Sequence, residues 1–569
     1  MEIHVRIAGA AGQGMQTTAD LLGKVVTRAG LYAFCYSDAE SRIRGGLNFS
    51  HLRLGERPLA AVRNHIDLLV AHSREALERF GNLVAQGGMV LCQQDWPHPL
   101  AAPLVLEESA RQAGSPKAAG IVALGALVAL MGLPLEEARQ VLQERFAGRD
   151  ELVEMNLAAL EAGVRAAGGL PGAEGFHLPA GASDQGRLYL GGGEALSLGA
   201  VAGGVGFMAA YPMSPSTSII TNLAAWGAET GVVTEQAEDE VAAINLVAGA
   251  AYAGARAMTA TSGGGFCLMT EGVSLLGMIE APAVIVIAQR PGPATGLPTR
   301  QAQGDLNLVR HAGHGFFPRI ILAPRDIGDC FEITARAFDL AERFQVPVFV
   351  LTDQHLQDSR VTLPPPDPSG LPRRRYFLDR DQLQALSEYR RYQLTPDGIS
   401  PMAAPGVSRH LVLADSDEHD ELGHIIEDAA TAAAMSRKRL AKAQTVQAAA
   451  WEPELEGRSE GRPLIVTWGS SFHTVAEARR RLARQGMETA LLNLRWLWPL
   501  PPEPLTSLLA GASRVLVVEN SVGCELAGLL REVTLQPVHA CLNRLDGRPL
   551  DCDELAEELS AALTGEVRS

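Results

Sequence analysis

Between residues 188 and 362 five short apolar runs recur, each separated from the next by enough chain for a helix. They are Val232–Thr234, Ala257–Thr261, Val284–Ala288, Arg319–Ala323 and Val346–Leu351. Runs that are mostly apolar, instead of alternating with polar residues, belong to strands covered on both faces. Strands that alternate with helices make an open, parallel α/β sheet, and ligands sit at the C-terminal ends of such strands. The same rhythm returns late in the chain. Leu464–Trp468, a helix over Thr474–Gln485, Thr489–Asn493 and Val515–Val518 read as a second α/β layer. The chain also opens on a strand, Ile3–Ala8, followed by a glycine turn and a helix over Thr17–Ala29.

A chain of 569 residues is too long for one core, and about three domains are expected. The fold class is α/β, with a Rossmann-like N-terminal domain over 1–175 and a linker over 176–187 inside a Gly-rich stretch. A second domain over 188–362, a connecting arm and helix over 363–460, and a C-terminal domain over 461–569 follow. The arm carries a Pro-rich stretch with Arg373-Arg374-Arg375 and a long polar helix from Ile425 to Gln447. The one long apolar stretch, Ala118 to Leu135, is rich in Ala and Gly and contains Pro134, so a packed helix is expected there, not a membrane span.

A net charge of −16 argues against a nucleic-acid partner, because a binding face must neutralise phosphates. The seven cysteines (35, 92, 267, 330, 524, 541 and 552) include no CxxC and no close pair. That spacing supports neither a disulfide framework nor a zinc or iron–sulfur site in this chain, and it fits a reducing, cytoplasmic setting. Met1-Glu2 followed by a strand pattern is not a signal peptide. His419 and His424 lie five apart, off one helical face, and are read as no metal site.

The N-terminal turn Gly9-Ala-Ala-Gly12-Gln-Gly14 joins a strand to a helix N-terminus, which presents backbone N–H groups suited to a phosphate. Its spacing is GxxGxG and not the dinucleotide pattern, so a bare tight turn is the competing reading. Glu40-Ser41-Arg42-Ile43-Arg44-Gly45-Gly46 sets two guanidiniums beside flexible backbone, for phosphate or simply for solvent. Four further features fall at expected strand ends in the second domain. Tyr211-Pro212-Met213-Ser214-Pro215-Ser216-Thr217 is a stiff loop that displays a hydroxyl. Glu238-Asp239-Glu240 opens an Ala-rich helix whose burial would desolvate a carboxylate and favour its protonated form. Thr261-Ser-Gly-Gly-Gly265 is a strand running into a glycine turn. Arg290-Pro-Gly-Pro-Ala-Thr295-Gly-Leu-Pro-Thr299-Arg300 places an arginine, fixed by prolines, where it can clamp a carboxylate through two parallel hydrogen bonds. Read singly, each is equally a turn, a helix cap or a connection.

Together YPMSPST, EDE before an Ala-rich helix, TATSGGG and QRPGPATGLPTRQAQGD resemble the α subunit of 2-oxoacid:ferredoxin oxidoreductases. Members are thiamin diphosphate enzymes that decarboxylate a 2-oxoacid to an acyl-CoA and pass electrons to ferredoxin. AGAAGQGMQT and ESRIRGG resemble the family's γ domain, fused ahead of a thiamin pyrimidine-type domain, and the C-terminal segment resembles a transketolase-C-like domain. The resemblance implies that Glu240 is catalytic, hydrogen-bonding the thiamin aminopyrimidine. It implies that Ser214 contacts substrate or cofactor in a position more often threonine, and that Arg290 holds the 2-oxoacid carboxylate. Thr295 and Thr299 line the same loop, and Gly12 and Gly14 lie on the coenzyme A side. Gly264 stands where a proline is common, which loosens that turn.

The chain lacks a GDG with a downstream asparagine and a cysteine set for a cluster. The resemblance therefore implies a β subunit that brings Mg2+, the diphosphate site and a [4Fe–4S] cluster, in a heterotetramer with two chains of each kind. The expected substrate is 2-oxoglutarate, converted with coenzyme A to succinyl-CoA, in a reaction that also runs as a reductive carboxylation. Pyruvate or a branched-chain 2-oxoacid are the rivals. Indolepyruvate fits less well, since that α subunit carries its own diphosphate and cluster sites. A non-catalytic phosphate-ligand sensor is the reading from another class.

Overall fold

The structure, a computed structural model, describes residues 1–40, 45–93, 95–170, 172–179, 181 and 186–565. It divides into two compact units, one of 1–191 with 358–366 and one of 192–357 with 367–569. Arg42 and Arg44 lie outside the described residues.

The first unit is built on an eight-stranded mixed sheet. Its order is Ala101–Pro103, Val84–Cys92, Ile66–Ala71, Glu2–Ala11, Gly45–Gly55, Tyr32–Ala39, Arg360–Leu363 and Leu188–Gly191. The last two segments had been expected in the second domain. They belong here because Arg360–Leu363 pairs antiparallel with both Leu188–Gly191 and the Tyr32–Ala39 strand. Two segments from opposite ends of the following domain are far apart in sequence, and no local pattern announces their pairing. The apolar stretch forms a helix, Ala119–Leu130, buried on almost every side against Asp150–Ala167. Gly125 and Gly163 permit that approach: a Cβ on Gly125 would come within 2.0 Å of the Leu160 carbonyl, and one on Gly163 within 2.0 Å of the Val122 carbonyl. Its apolarity thus serves helix-on-helix packing. Among the described residues no helix is long and apolar enough to cross a membrane.

The second unit contains a seven-stranded sheet ordered Trp496–Trp498, Ile320–Leu322, Pro347–Asp353, Ala283–Gln289, Ala257–Thr261, Phe207–Ala210 and Val233–Gln236. All neighbours are parallel except the antiparallel edge strand Trp496–Trp498. The five expected strands are present, Ala257–Thr261 with the expected bounds and the other four shifted by a residue or two at their ends. A five-stranded sheet follows, ordered Glu454–Glu456, Ala490–Leu494, Pro463–Trp468, Arg514–Val518 and Ala540–Leu542. Because Trp496–Trp498 joins the first of these sheets, a single apolar core runs from Phe266 and Phe349 to Trp468 and Val517. The C-terminal layer therefore packs as one body with the layer before it.

The arm is fastened by buried charge. The helix Ala429–Ala448 sends Lys438 and Lys442 onto the two oxygens of Glu280, and Arg391 donates to the Glu280 carbonyl at 2.8 Å. Burial opposes ionisation of Glu280, but Lys442, Lys438 and Arg391 together hold its carboxyl well below the usual carboxylate range. Arg256 is fixed similarly, with Glu342 at 3.0 Å and the carbonyls of Gly203 and Arg374.

Candidate functional site

Four strands of the second unit end on one edge, and each hands the chain to a loop flagged above. Phe207–Ala210 leads to Ser214, Val233–Gln236 to Glu240, Ala257–Thr261 to the glycine turn, and Ala283–Gln289 to Arg290. This is the C-terminal edge of a parallel sheet, where such sites form.

Glu240 is the first residue of the helix Glu240–Tyr252, and its neighbour Asp239 caps that helix by accepting from Ala242 N at 2.7 Å. Glu240 is thus released from capping. It is only 3% exposed, and its Oε1 has no hydrogen-bond partner. Its room comes from a glycine, since a Cβ on Gly265 would fall 2.5 Å from Glu240 Oε1 and 2.2 Å from Thr261 Oγ1. A buried carboxylate oxygen without a partner is costly, and a donor from outside the chain would satisfy it. A protonated ring nitrogen of an aminopyrimidine supplies such a donor, and the residues present fit a thiamin-type pyrimidine.

Arg290 Nη1 donates to the Ser214 carbonyl at 2.8 Å, which brings together two residues 76 apart in sequence. The backbone of Ser214 therefore holds the arginine. Partial burial disfavours the Arg290 cation, and the Asp305 carboxyl counters this. The loop is secured beyond the arginine as well. Gly296, at φ +53°, packs where a Cβ would lie 1.8 Å from the Pro291 carbonyl, and Leu297 N donates to that carbonyl at 3.1 Å. Gln301 N and Gln303 N donate to the carbonyls of Gly547 and Asn520, anchoring the loop to the C-terminal layer. Thr295 is exposed and Thr299 half-buried on this loop. Gly264 lies in the first turn of the helix Gly263–Met278, with the Ala294 carbonyl at an ordinary 3.6 Å from a built Cβ.

Sequence reasoning passed over Asp305, although it ends the QAQGD motif. A Cβ on Gly263 would lie 2.4 Å from both of its carboxylate oxygens. Gly263 and Gly265, two residues apart, therefore seat two different carboxyl groups. Asp305 stands in the cap position ahead of Leu306–His311, but its side chain makes no cap bond.

In the first unit Gly12 and Gly14 both adopt left-handed backbone, at φ +94° and +81°. Gly14 precedes the helix Met15–Arg28, whose first turn has no side-chain cap. The turn borders a cavity of about 470 Å3 whose lining includes Gln16, Thr17, Asp38, Asn48, Ser50 and Asp358. The walls thus combine amide donors with carboxylates.

The fold also gathers two cysteines that lie far apart in sequence. Cys524, Cys541 and Glu519 place ligand atoms within 4.8 Å of one another. Glu519 is already engaged there, accepting from Leu526 N at 3.0 Å and Ala527 N at 3.3 Å at the start of the helix Glu525–Thr534.

Residues 198–438 match the family model described as pyruvate flavodoxin/ferredoxin oxidoreductase, thiamine diphosphate-binding. Residues 4–166 match pyruvate ferredoxin/flavodoxin oxidoreductase, and 463–555 match pyruvate:ferredoxin oxidoreductase core domain II. The chain is 30% identical to the α subunit of 2-oxoacid:ferredoxin oxidoreductase 2 of Aeropyrum pernix, over all of this chain and 99% of that one. It is 28% identical to the 2-oxoglutarate oxidoreductase subunit KorA of Mycobacterium tuberculosis, over 99% of this chain and 92% of that one. Among solved structures, 2-oxoglutarate:ferredoxin oxidoreductase from Magnetococcus marinus, with 2-oxoglutarate, coenzyme A and succinyl-CoA bound, aligns over 99% of both chains. The TM-score is 0.91 at 32% identity.

Proposed function

Because the chain belongs to the family of 2-oxoacid:ferredoxin oxidoreductase α subunits, we propose that it is the fused γα subunit of a 2-oxoglutarate:ferredoxin oxidoreductase. The observation that carries the reading is Glu240. It is a buried carboxylate with a partnerless oxygen, seated by a glycine at the sheet edge where an anchored arginine also stands. Thiamin diphosphate, when bound, would supply an acidic carbon nucleophile and an electron sink for decarboxylation.

The rest is the work of this chain's residues. Glu240 holds a proton at the pyrimidine ring nitrogen, and its burial keeps water from competing for that bond. Arg290 grips the 2-oxoacid carboxylate, and the Ser214 carbonyl fixes the direction of the guanidinium. Ser214 contributes its hydroxyl to the same wall, and Thr295 and Thr299 line the loop that faces substrate. On the first unit Gly12 and Gly14 hold the turn whose amide donors receive coenzyme A. A cavity that offers both amide N–H groups and carboxylates suits a ligand with phosphates as well as hydroxyl and amino groups.

The remaining parts belong to a partner. A β subunit brings Mg2+, the diphosphate site and a [4Fe–4S] cluster, ferredoxin takes the electrons, and the cytoplasmic assembly is a heterotetramer. With reduced ferredoxin in excess the same site carboxylates succinyl-CoA. The preference for 2-oxoglutarate is supported by the likeness to the Magnetococcus enzyme and to KorA proteins.

The test is ferredoxin reduction by the co-expressed α–β pair with 2-oxoglutarate, pyruvate and 2-oxoisovalerate in parallel. We expect the highest kcat/KM with 2-oxoglutarate and loss of activity in Glu240→Ala. A clear preference for pyruvate overturns the substrate assignment, and an active Glu240→Ala enzyme overturns the site.

A further inference from the structure

Asp305 occupies the N-cap slot of the helix Leu306–His311 and does not cap it. Glu525, from the helix Glu525–Thr534, takes that duty, accepting from Asn307 N at 2.8 Å and from Leu306 N. Asp305 is turned instead toward the glycine turn that ends the Ala257–Thr261 strand. Its own N–H is held by Gln289 Oε1 at 3.1 Å, from the residue beside Arg290. The carboxyl lies against Gly263, where any Cβ would meet both oxygens at 2.4 Å, and its Oδ2 is buried without a hydrogen-bond partner.

Two charged groups act on it, from two different elements. Arg290 favours its ionised form and Glu525 opposes it. Glu240 lies across the same turn against Gly265. Burial outweighs the arginine and pushes the Asp305 carboxyl up to about 7.

We propose that Asp305 is a positioning residue that acts through Arg290: its carboxyl, seated on Gly263, sets how much of the guanidinium charge is left for an incoming carboxylate. The inference rests on Arg290 being the 2-oxoacid clamp. Protonated Asp305 leaves Arg290 uncompensated and the site receptive to an anion. Ionised Asp305 neutralises part of that charge and repels the substrate carboxylate. The unfilled Oδ2 is then the place where a proton enters and leaves, at a pH where the substrate itself stays fully ionised.

The experiment uses the α–β complex and measures KM for 2-oxoglutarate from pH 6 to 8.5, with a low-potential viologen dye as acceptor. In the native enzyme KM is expected to rise about tenfold across that range, the effect of one charge coupled by about one pKa unit. In Asp305→Asn, close in shape, KM is expected to stay near its native low-pH value throughout. Gly263→Ala, which drives the carboxyl from its seat, is expected to flatten the profile as well, and thermal unfolding of each variant verifies that it is folded. Parallel pH profiles in native and Asp305→Asn enzymes overturn the assignment, as does a uniform rise in KM with the native slope. Absence of any 2-oxoacid-dependent reduction in the native pair overturns the reading of the site itself, a result distinct from an active enzyme with an unaltered profile.

Discussion

Gly264 and Gly265 are neighbours in the first turn of one helix, and the structure gives them opposite responses to the same substitution. Alanine in a helix is favoured over glycine by about 0.5–1 kcal/mol, because glycine loses more backbone freedom on folding. At Gly264 an added methyl meets only the Ala294 carbonyl at 3.6 Å, so Gly264→Ala should gain most of that amount. At Gly265 the methyl meets Thr261 Oγ1 at 2.2 Å and Glu240 Oε1 at 2.5 Å. Both neighbours are buried, and Thr261 Oγ1, like Glu240 Oε1, is unpartnered. Overpacking of this kind costs about 1–3 kcal/mol, which cancels or exceeds the helix gain. The net for Gly265→Ala is therefore zero to about 2 kcal/mol of destabilisation, with the Glu240 carboxylate displaced. Hydrogen exchange of the Gly263–Met278 amides reads the local term, about tenfold in protection for each 1.4 kcal/mol. Ferredoxin reduction by the α–β pair reads the displacement. We expect Gly264→Ala to be at least as protected as the native chain and active, and Gly265→Ala to be less protected and nearly inactive. Equal behaviour of the two, or a stabilised and active Gly265→Ala, would refute the seat drawn here for Glu240.

Two further outcomes follow from buried charge. Glu280→Ala leaves Lys438 and Lys442 without the carboxylate they share, while Arg391 keeps its bond to the main-chain carbonyl at that position. A loss of about 3–5 kcal/mol is expected, read as proteolytic release of the helix Ala429–Ala448 at protease levels that spare the native chain. Glu519 is pushed up to about 7 by burial, above its unfolded value of about 4.3, so the folded chain binds the extra proton. Its stabilisation is complete below the unfolded value and is lost as pH rises through about 7. Glu519→Gln keeps an acceptor for Leu526 N and should show a shallower fall in thermal midpoint between pH 5 and 8 than the native protein. An identical slope refutes the shift.

The central strands of the second unit's sheet were legible because they are buried on both faces, and runs such as Val284–Ala288 have no other use. Arg290 and Ser214 stand out in the sequence because prolines stiffen their loops, and the fold brings the two together. The pairing of Arg360–Leu363 with Leu188–Gly191 was not, since each is four residues long and the register depends on a partner far away. Cysteine spacing was likewise blind to the approach of Cys524 and Cys541, which sit on a helix start and an edge strand brought together only by the sheet.

Asp239 and Asp305 make the limit concrete. Both precede a helix, and both carry the residue type that local rules assign to capping. Asp239 obeys, accepting from Ala242 N at 2.7 Å, and by doing so it frees Glu240 beside it. Asp305 does not: its backbone, at φ −110° and ψ 7°, lacks the extended cap geometry of Asp239, and Glu525, 218 residues beyond Asn307, accepts from the first turn instead. In one case the local rule holds and releases a neighbouring carboxylate. In the other a distant side chain accepts in its place, and the aspartate itself is left uncommitted. By either route a carboxyl group is left at the same glycine turn with a buried oxygen unpartnered. Two desolvated carboxylates within one turn of a helix are costly in a chain that has no use for them. On the roles proposed above, with Glu240 holding a proton and Asp305 tuning the charge of Arg290, that cost is offset, and the glycines at 263 and 265 leave the room both carboxyl groups occupy.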